Sequence, residues 1–312
     1  MSLHPLIGIA GPTGSGKSSL SLAVCEAVGG EVVNCDSLQV YRYLDIGTAK
    51  LAVDERRGIP HHLIDILNPD EICSAGEYSR MARETLDAIR QRGRVPVVAG
   101  GTGFYLKALL DGLFPGPQRD EALRARLAGR ENRRPGGLHR LLRRWDPAAA
   151  ARIHPNDTPK VIRALEVYVL TRRPVTELFT TGRDALQGYR MLLLGLSPPR
   201  DALYRQIDAR CQQMFDGGLI EEVRGIAGRG YSLDLKPFEA HGYRQAVQVI
   251  RGELRVKEAV FYAQRNTRQY AKRQVTWFRA DPRIEWWAGF GTDPEIEAAA
   301  LRRASRFLSE IF

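Results

Sequence analysis

Four cysteines, six histidines and no long apolar run make up a short supply of several chemistries. Cys25, Cys35, Cys73 and Cys211 stand far apart and form no C-x-x-C pair, which argues against a disulfide framework or a zinc ribbon and leaves buried thiols as the expectation. His61 and His62 are adjacent, but no third ligand follows at a metal-site spacing. No stretch is long and apolar enough to span a bilayer, so no membrane partner is expected. The opening "MSLHPLIGIAG" shows neither a basic n-region nor a small-residue cleavage site, and a cytoplasmic chain is the expectation. Internal repeats and low-complexity tracts are missing too. Acid is the scarcer charge: 46 Lys and Arg face 36 Asp and Glu, a formal charge of +10. An excess of that size points toward a polyanionic partner, though charge alone does not decide it.

What is present begins with "GPTGSGKS" at 11–18, directly after the apolar run "LIGIA". Strand, glycine loop and helix in that order are the context a phosphate cradle requires. Gly11, Gly14 and Gly16 let the amides of the loop, with Thr13 and Ser15, turn inward on an anion. Lys17 adds a point charge, and Ser18 offers a hydroxyl to Mg²⁺ at the helix N-terminus. Residues 20–28 place Leu20, Ala23, Val24, Ala27 and Val28 on one helical face, Gly29-Gly30 stops that helix, and "EVVNC" reads as the next strand. This is a βαβ unit of a parallel sheet.

An amphipathic helix over 77–92, a strand at "VPVVAGG" and an apolar run at 189–198 extend the same pattern. Between them, residues 118–189 change character: rich in arginine and helical patterning, broken by Pro-Gly, with no convincing strand. The expected architecture is therefore α/β, a P-loop NTPase-like parallel sheet flanked by helices. Its discontinuous core covers 1–117 and 190–312, and a small helical insertion domain covers 118–189. Helices are expected over 199–227, 239–251, 255–278 and 293–311, with a late strand at "RIEWWAG".

A nucleotide hydrolase would add an Asp at the end of another apolar strand to hold Mg²⁺. The strands ending "VVAGGTG" and "LLLGLSPP" have none. The acid that is present, Asp36, ends the strand beside the loop, where small-molecule kinases face the acceptor. The loop then holds a phosphate leaving group and Asp36 faces a nucleophile; a turn cap shared with Ser37 is the plainer alternative. Thr102, in "GGTG", either aims its hydroxyl at the donor or caps the helix "FYLKALL".

These blocks resemble a family. "GPTGSGKS", "CDSLQVYRYLDIGTAK" (35–50), "HHLID" (61–65), "VAGGTGFYLKALLDGL" (98–113), "HPND" with "RALEV", "GYRQ" (242–245) and "YAKRQVTWFR" (270–279) occur in the order seen in bacterial tRNA dimethylallyltransferases. The resemblance implies transfer of a dimethylallyl group from dimethylallyl diphosphate to N6 of the adenosine 3′-adjacent to the anticodon, with Mg²⁺ as cofactor. It implies Asp36 as general base, Thr102 at the reaction centre, Lys17 and Arg210 on the diphosphate, and Ser18 as metal ligand. Without it, Arg210 reads as an exposed helix charge. The tRNA anticodon stem-loop is the implied partner, met by Asp36, Ser37, Leu38, Gln39 and Thr102 near the target base and by Arg124, Lys160, Arg163 and Gly242, Tyr243, Arg244, Gln245 around it. A monomer is expected.

From Phe261 to Arg279 the chain has no acid, and Arg265, Arg268 and Lys272 share one helical face with aromatics between them. That run favours RNA contact. An adenylate isopentenyltransferase would share the loop, Asp36 and Thr102 but has no use for this face. A small-molecule kinase and an RNA-binding module with a degenerate loop are weaker rivals, because the strand-end carboxylate is missing while Lys17, Ser18 and Asp36 are intact.

Overall fold

A computed structural model describes residues 3–311 of the chain. It packs as two units, one built from the chain up to Leu110 and again from Leu186 onward, the other from Asp111–Ala185.

The first unit starts with β1 (His4–Ala10), the glycine loop and α1 (Lys17–Val28). Then come β2 (Gly30–Asn34), the two-residue β3 (His61–His62), α2 (Ala75–Gln91), β4 (Val95–Ala99) and α3 (Gly103–Asp111). The second unit holds α4 (Glu121–Arg133), α5 (Gly137–Trp145), α6 (Pro147–Arg152), α7 (Thr158–Thr171) and α8 (Val175–Leu178). The first unit resumes with β5 (Tyr189–Leu196), α9 (Arg200–Asp216), α10 (Leu219–Gly228), α11 (Tyr243–Ile250), α12 (Val256–Arg279), β6 (Ile284–Trp287) and α13 (Pro294–Ser309).

All six strands pair in parallel, in the order β3-β2-β4-β1-β5-β6. Both faces of the sheet are covered, which is why β1 and β5 read as near-continuous apolar runs rather than alternating ones. Along β1, Leu6 and Ala10 face a cluster with Tyr78, Leu86 and Leu109 from α2 and α3, while Ile7 and Ile9 face Leu20 and Val24 of α1 and Ala304 of α13. No helix among the described residues is long and apolar enough to cross a membrane.

The structure refines several expected bounds. The helix read over 199–227 is two helices, because Gly218 at φ 97 breaks the turn between α9 and α10. Residues 239–251 give α11 only from Tyr243, since Gly242 sits at φ 90 and cannot continue a helix backward. β3 was not expected: two residues carry no periodicity to read. The insertion unit runs over 111–185 where the sequence pattern places 118–189. Its two ends meet inside it, with Gly112 so close to Asp184 that a Cβ there would lie 2.1 Å from the Asp184 carbonyl oxygen.

The insertion unit has its own apolar centre, with Leu138, Leu142, Val161, Leu165 and Val167 buried among α4, α5 and α7. Three of its helices, α4, α6 and α7, begin with side-chain caps from Asp120, Asp146 and Asp157, each accepting from a first-turn amide.

Candidate active site

Parallel sheets place their ligand sites beyond the carboxyl ends of the strands. Here β4 lies between β1 and β2, with Ala99 paired to Ile9 on one side and Asn34 on the other. The segments leaving those three strands, 11–16, 35–39 and 100–103, therefore emerge side by side.

The first is the glycine loop. Gly14 and Gly16 adopt φ 81 and 84, a left-handed turn that starts α1. Gly16 has a second constraint: a Cβ there would stand 2.9 Å from the Gly291 amide, because the 289–293 segment packs on the loop and Gly291 donates to Ser15 O at 2.8 Å. The Ser15 hydroxyl is buried and has no hydrogen-bond partner among the described residues. An orphaned polar atom inside a loop of inward-turned backbone fits a site completed by an anion. Lys17 Nζ donates to Pro12 O at 2.8 Å, and Arg210 Nη2 donates to Thr13 Oγ1 at 2.5 Å. Desolvation pulls the Lys17 pKa down to about 8; Asp36 opposes that shift and Arg210 adds to it. Arg210 is also lowered, again chiefly by burial. Arg210 is thus half-buried against the loop rather than the exposed helix charge its sequence context suggests.

The second segment carries Asp36. Asn34 holds it in place, accepting from Asp36 N at 3.1 Å and donating to Asp36 O and Leu63 O. Asp36 Oδ1 accepts from Leu38 N at 2.9 Å, so one oxygen does cap the turn. Oδ2 has no protein partner among the described residues. Gln39 is tied away from it, donating to Thr48 O.

The third segment is "GGTG". A Cβ on Gly100 would fall 2.1 Å from Cys35 O, so only glycine lets the turn close onto β2. Thr102 Oγ1 accepts from Ser37 N at 2.9 Å and lies 3.2 Å from Ser37 Oγ. The side chain turns toward Asp36's neighbour rather than capping its own helix. Lys17, Asp36, Thr102, Thr13 and Arg210 are therefore brought together, and so is Tyr270 of α12. Burial pushes the Tyr270 phenol up to about 12, with Asp36 adding to the rise. Tyr270 reads from its spacing as part of a basic RNA face; it belongs to the site instead.

The remaining expected RNA contacts divide. Arg265 is exposed and stacks on Tyr262 with 5.0 Å to the ring centroid, and Lys272 is exposed. Arg268 of the same face is paired with Asp208 of α9. Arg244 is exposed, but Tyr243 and Gln245 are buried, as is Gly242. Tyr243 donates to Glu222 at 2.6 Å, and Gln245 Oε1 accepts from Gly242 N, closing the start of α11. Direct side-chain contact is thereby left to Arg244. In the insertion unit, Arg124 and Arg163 both bond the buried Glu166, at 3.0 and 2.7 Å, and Lys160 pairs with its cap Asp157 at 2.5 Å.

No cluster of three or more His, Cys, Asp or Glu suited to a metal occurs among the described residues. His61 and His62 bond Ile59 O and Glu31 instead, and the four cysteines are free thiols. Ser18, exposed on the first turn of α1, is the oxygen donor at the cradle. One protein oxygen beside a phosphate cradle suits Mg²⁺, which keeps waters and takes most other ligands from substrate phosphates.

The IPP transferase family model matches residues 39–281. The chain is similar to the tRNA dimethylallyltransferase of Solibacter usitatus, 62% identical over 306 residues covering 98% of this chain and 100% of that one. It is 53% identical to the tRNA dimethylallyltransferase of Koribacter versatilis, over 95% and 97% of the two chains. Among solved structures, a full-length tRNA isopentenylpyrophosphate transferase from Bacillus halodurans superposes with a TM-score of 0.69 at 37% identity, covering 98% of this chain and 99% of that one. A eukaryotic dimethylallyltransferase acting on tRNA gives a TM-score of 0.84 at 28% identity, covering 98% and 80%.

Proposed function

The chain belongs to the IPP transferase family, and from that premise we propose that it is a tRNA dimethylallyltransferase. It moves the dimethylallyl group of dimethylallyl diphosphate onto N6 of the adenosine 3′-adjacent to the anticodon and releases diphosphate. The observation that carries this reading is a division of charge across one site. The cradle's cations rest on neutral oxygens, Lys17 on Pro12 O and Arg210 on the Thr13 hydroxyl, and remain available to an anion. Asp36, on the neighbouring strand end, keeps one carboxylate oxygen without a protein partner among the described residues.

The N6 lone pair attacks C1 of the allyl group while the C1–O bond breaks, and the bonding electrons leave with diphosphate. The N6 proton passes to Asp36, whose position is set by Asn34. Lys17 and Arg210, both partly buried, stabilise the charge that grows on the departing oxygen. Thr102, oriented by the Ser37 amide, presents its hydroxyl between the two halves. Mg²⁺ would be held by Ser18 together with the donor's own oxygens, and supplies further charge neutralisation. The target base has to leave its stack to reach Asp36, which a single-stranded loop permits at a cost of about a few kcal/mol. Arg244, Arg265 and Lys272 are the exposed cations assigned to the anticodon stem-loop. The enzyme works as a monomer in the cytoplasm.

Labelled dimethylallyl diphosphate, offered with unmodified tRNA or with AMP, tests the assignment. Label in tRNA alone is the expected result. Label in AMP alone would replace this reading with the free-nucleotide prenyltransferase.

A further inference from the structure

Along its buried face α12 sets small or apolar residues, Ala259, Ala263, Ala271 and Phe278, at helical spacing. Thr267 and Gln274 interrupt them, and Gln274 carries the larger polar group. It is 5% exposed, and a buried amide is unfavourable unless its groups are paired. Both are: Oε1 accepts from Thr13 N at 2.8 Å, and Nε2 donates to Gly101 O at 2.8 Å. One side chain thus joins the glycine loop after β1 to the turn after β4. We propose that Gln274 is a positioning residue, which fixes the donor cradle relative to the Thr102 turn without touching either substrate. The inference rests on the prenyl-transfer reading given above.

Neither loop has regular structure to hold its place, and each is rich in glycine. A hydrogen-bonded path crosses them both. Arg210 donates to Thr13, Thr13 to Gln274 and Gln274 to Gly101, while the next residue, Thr102, accepts from Ser37 beside Asp36. The diphosphate side and the proton-accepting side are therefore linked through one amide. The approach is close: a Cβ on Gly101 would stand 2.4 Å from Gln274 Nε2, and one on Gly103 would stand 2.1 Å from Trp277 Cδ1, a turn further along. The linkage needs an acceptor and a donor on one planar group. Methionine supplies no donor and only a weak acceptor at similar volume, and a glutamate carboxylate supplies only the acceptor. A protonated glutamic acid supplies both again.

The experiment compares wild type, Gln274→Met and Gln274→Glu under single turnover with donor and tRNA saturating, alongside donor affinity and thermal melting. Gln274→Met is expected to slow the step by about 10²-fold, the scale of a small misplacement of reacting groups, with donor affinity changed less than threefold. The Gln274→Glu rate, divided by the wild-type rate at each pH, should rise as pH falls, while the same ratio for Gln274→Met stays flat. Should Gln274→Met fail to fold, the pH trend of Gln274→Glu decides alone. A methionine variant within threefold of the wild-type rate, or a pH-independent Gln274→Glu ratio, would overturn the inference. A wild-type enzyme that leaves tRNA unlabelled would instead sink the prenyl-transfer reading itself.

Discussion

The two units of this chain both gather arginine around a polar centre, and they differ in what the cations lean on. In the insertion unit Arg124 and Arg163 converge on Glu166, whose carboxylate is fully buried. Both share one carboxylate within the fold, which balances one of the two charges, and Glu166 also accepts from Asp120 N at the start of α4. In the sheet unit Lys17 and Arg210 hydrogen-bond only neutral oxygens among the described residues, with Asp36 acting on both through space, and burial lowers both pKa values. The first arrangement is a closed structural knot. The second is unfinished, and an external anion would complete it. A net charge of +10 counts both alike; only the position of the counter-charges separates cations that hold a fold from cations left open to an anion.

The sharpest break in that comparison lies at Asp36, the one acid placed opposite the open cations. Asp36→Ala should lower the single-turnover rate by about 10²–10⁴-fold and leave tRNA affinity largely intact. A rate within threefold of wild type would remove it from the mechanism. Next comes the closed knot. Glu166→Gln strands two arginines, and removing one partner of a buried ion pair destabilises by about 3–5 kcal/mol, at the low end here because Arg163 keeps some solvent. Thermal melting should show the loss, whereas donor binding at the glycine loop should not change.

The open cations should behave in the opposite sense. Lys17→Met is expected to weaken donor binding by roughly 10- to 100-fold, the value of a hydrogen bond to a charged group, while raising the melting temperature at neutral pH. The folded-state pKa of Lys17 lies near 8, below its ordinary 10.5. The unfolded chain therefore binds more protons between those values, and stability gains from this group as pH rises from 8 to 10.5. Below pH 8 the partly buried ammonium counts against the stability of the free protein. Donor affinity should follow the reverse course, falling as pH climbs past about 8. Calorimetric titration and melting across that range check both. An unaltered melting curve together with unaltered affinity in Lys17→Met would make the loop purely structural.

The smallest effect concerns α12. Arg265→Gln with Lys272→Gln should flatten the salt dependence of tRNA binding by roughly one log–log unit per lost phosphate contact. Adding Arg268→Gln should change the slope little, since Asp208 already neutralises it. A triple variant with a slope much lower than the double would show that Arg268 leaves its carboxylate when RNA arrives.

How much of this was legible beforehand varies with the kind of signal. The cradle was, because "GPTGSGKS" between an apolar strand and a helix is a local pattern, and its left-handed turn depends on two glycines, Gly14 and Gly16, two positions apart. The parallel sheet was also legible, through apolar runs that mark strands covered on both faces. The two-residue β3 was not, having no period. Tyr270 and Gln274 read as members of a basic, aromatic stretch; that they point into the site follows from which face of α12 packs on the strand ends. Arg124 and Arg163 carried the same charge as Lys17 and Arg210, and nothing local distinguished them.

By itself, then, the sequence determined the chemistry on offer: a phosphate loop, a strand-end acid, a threonine turn and an excess of cations. Each of these rests on neighbours a few residues away. The tertiary structure alone decided which cations are paired with a carboxylate and which stay open, and which amide, 261 residues along the chain from Thr13 and 173 from Gly101, joins the two loops. Electrostatics and hydrogen bonding act over a few ångströms of space, whatever the distance along the chain, so their partners are settled only when the chain has folded.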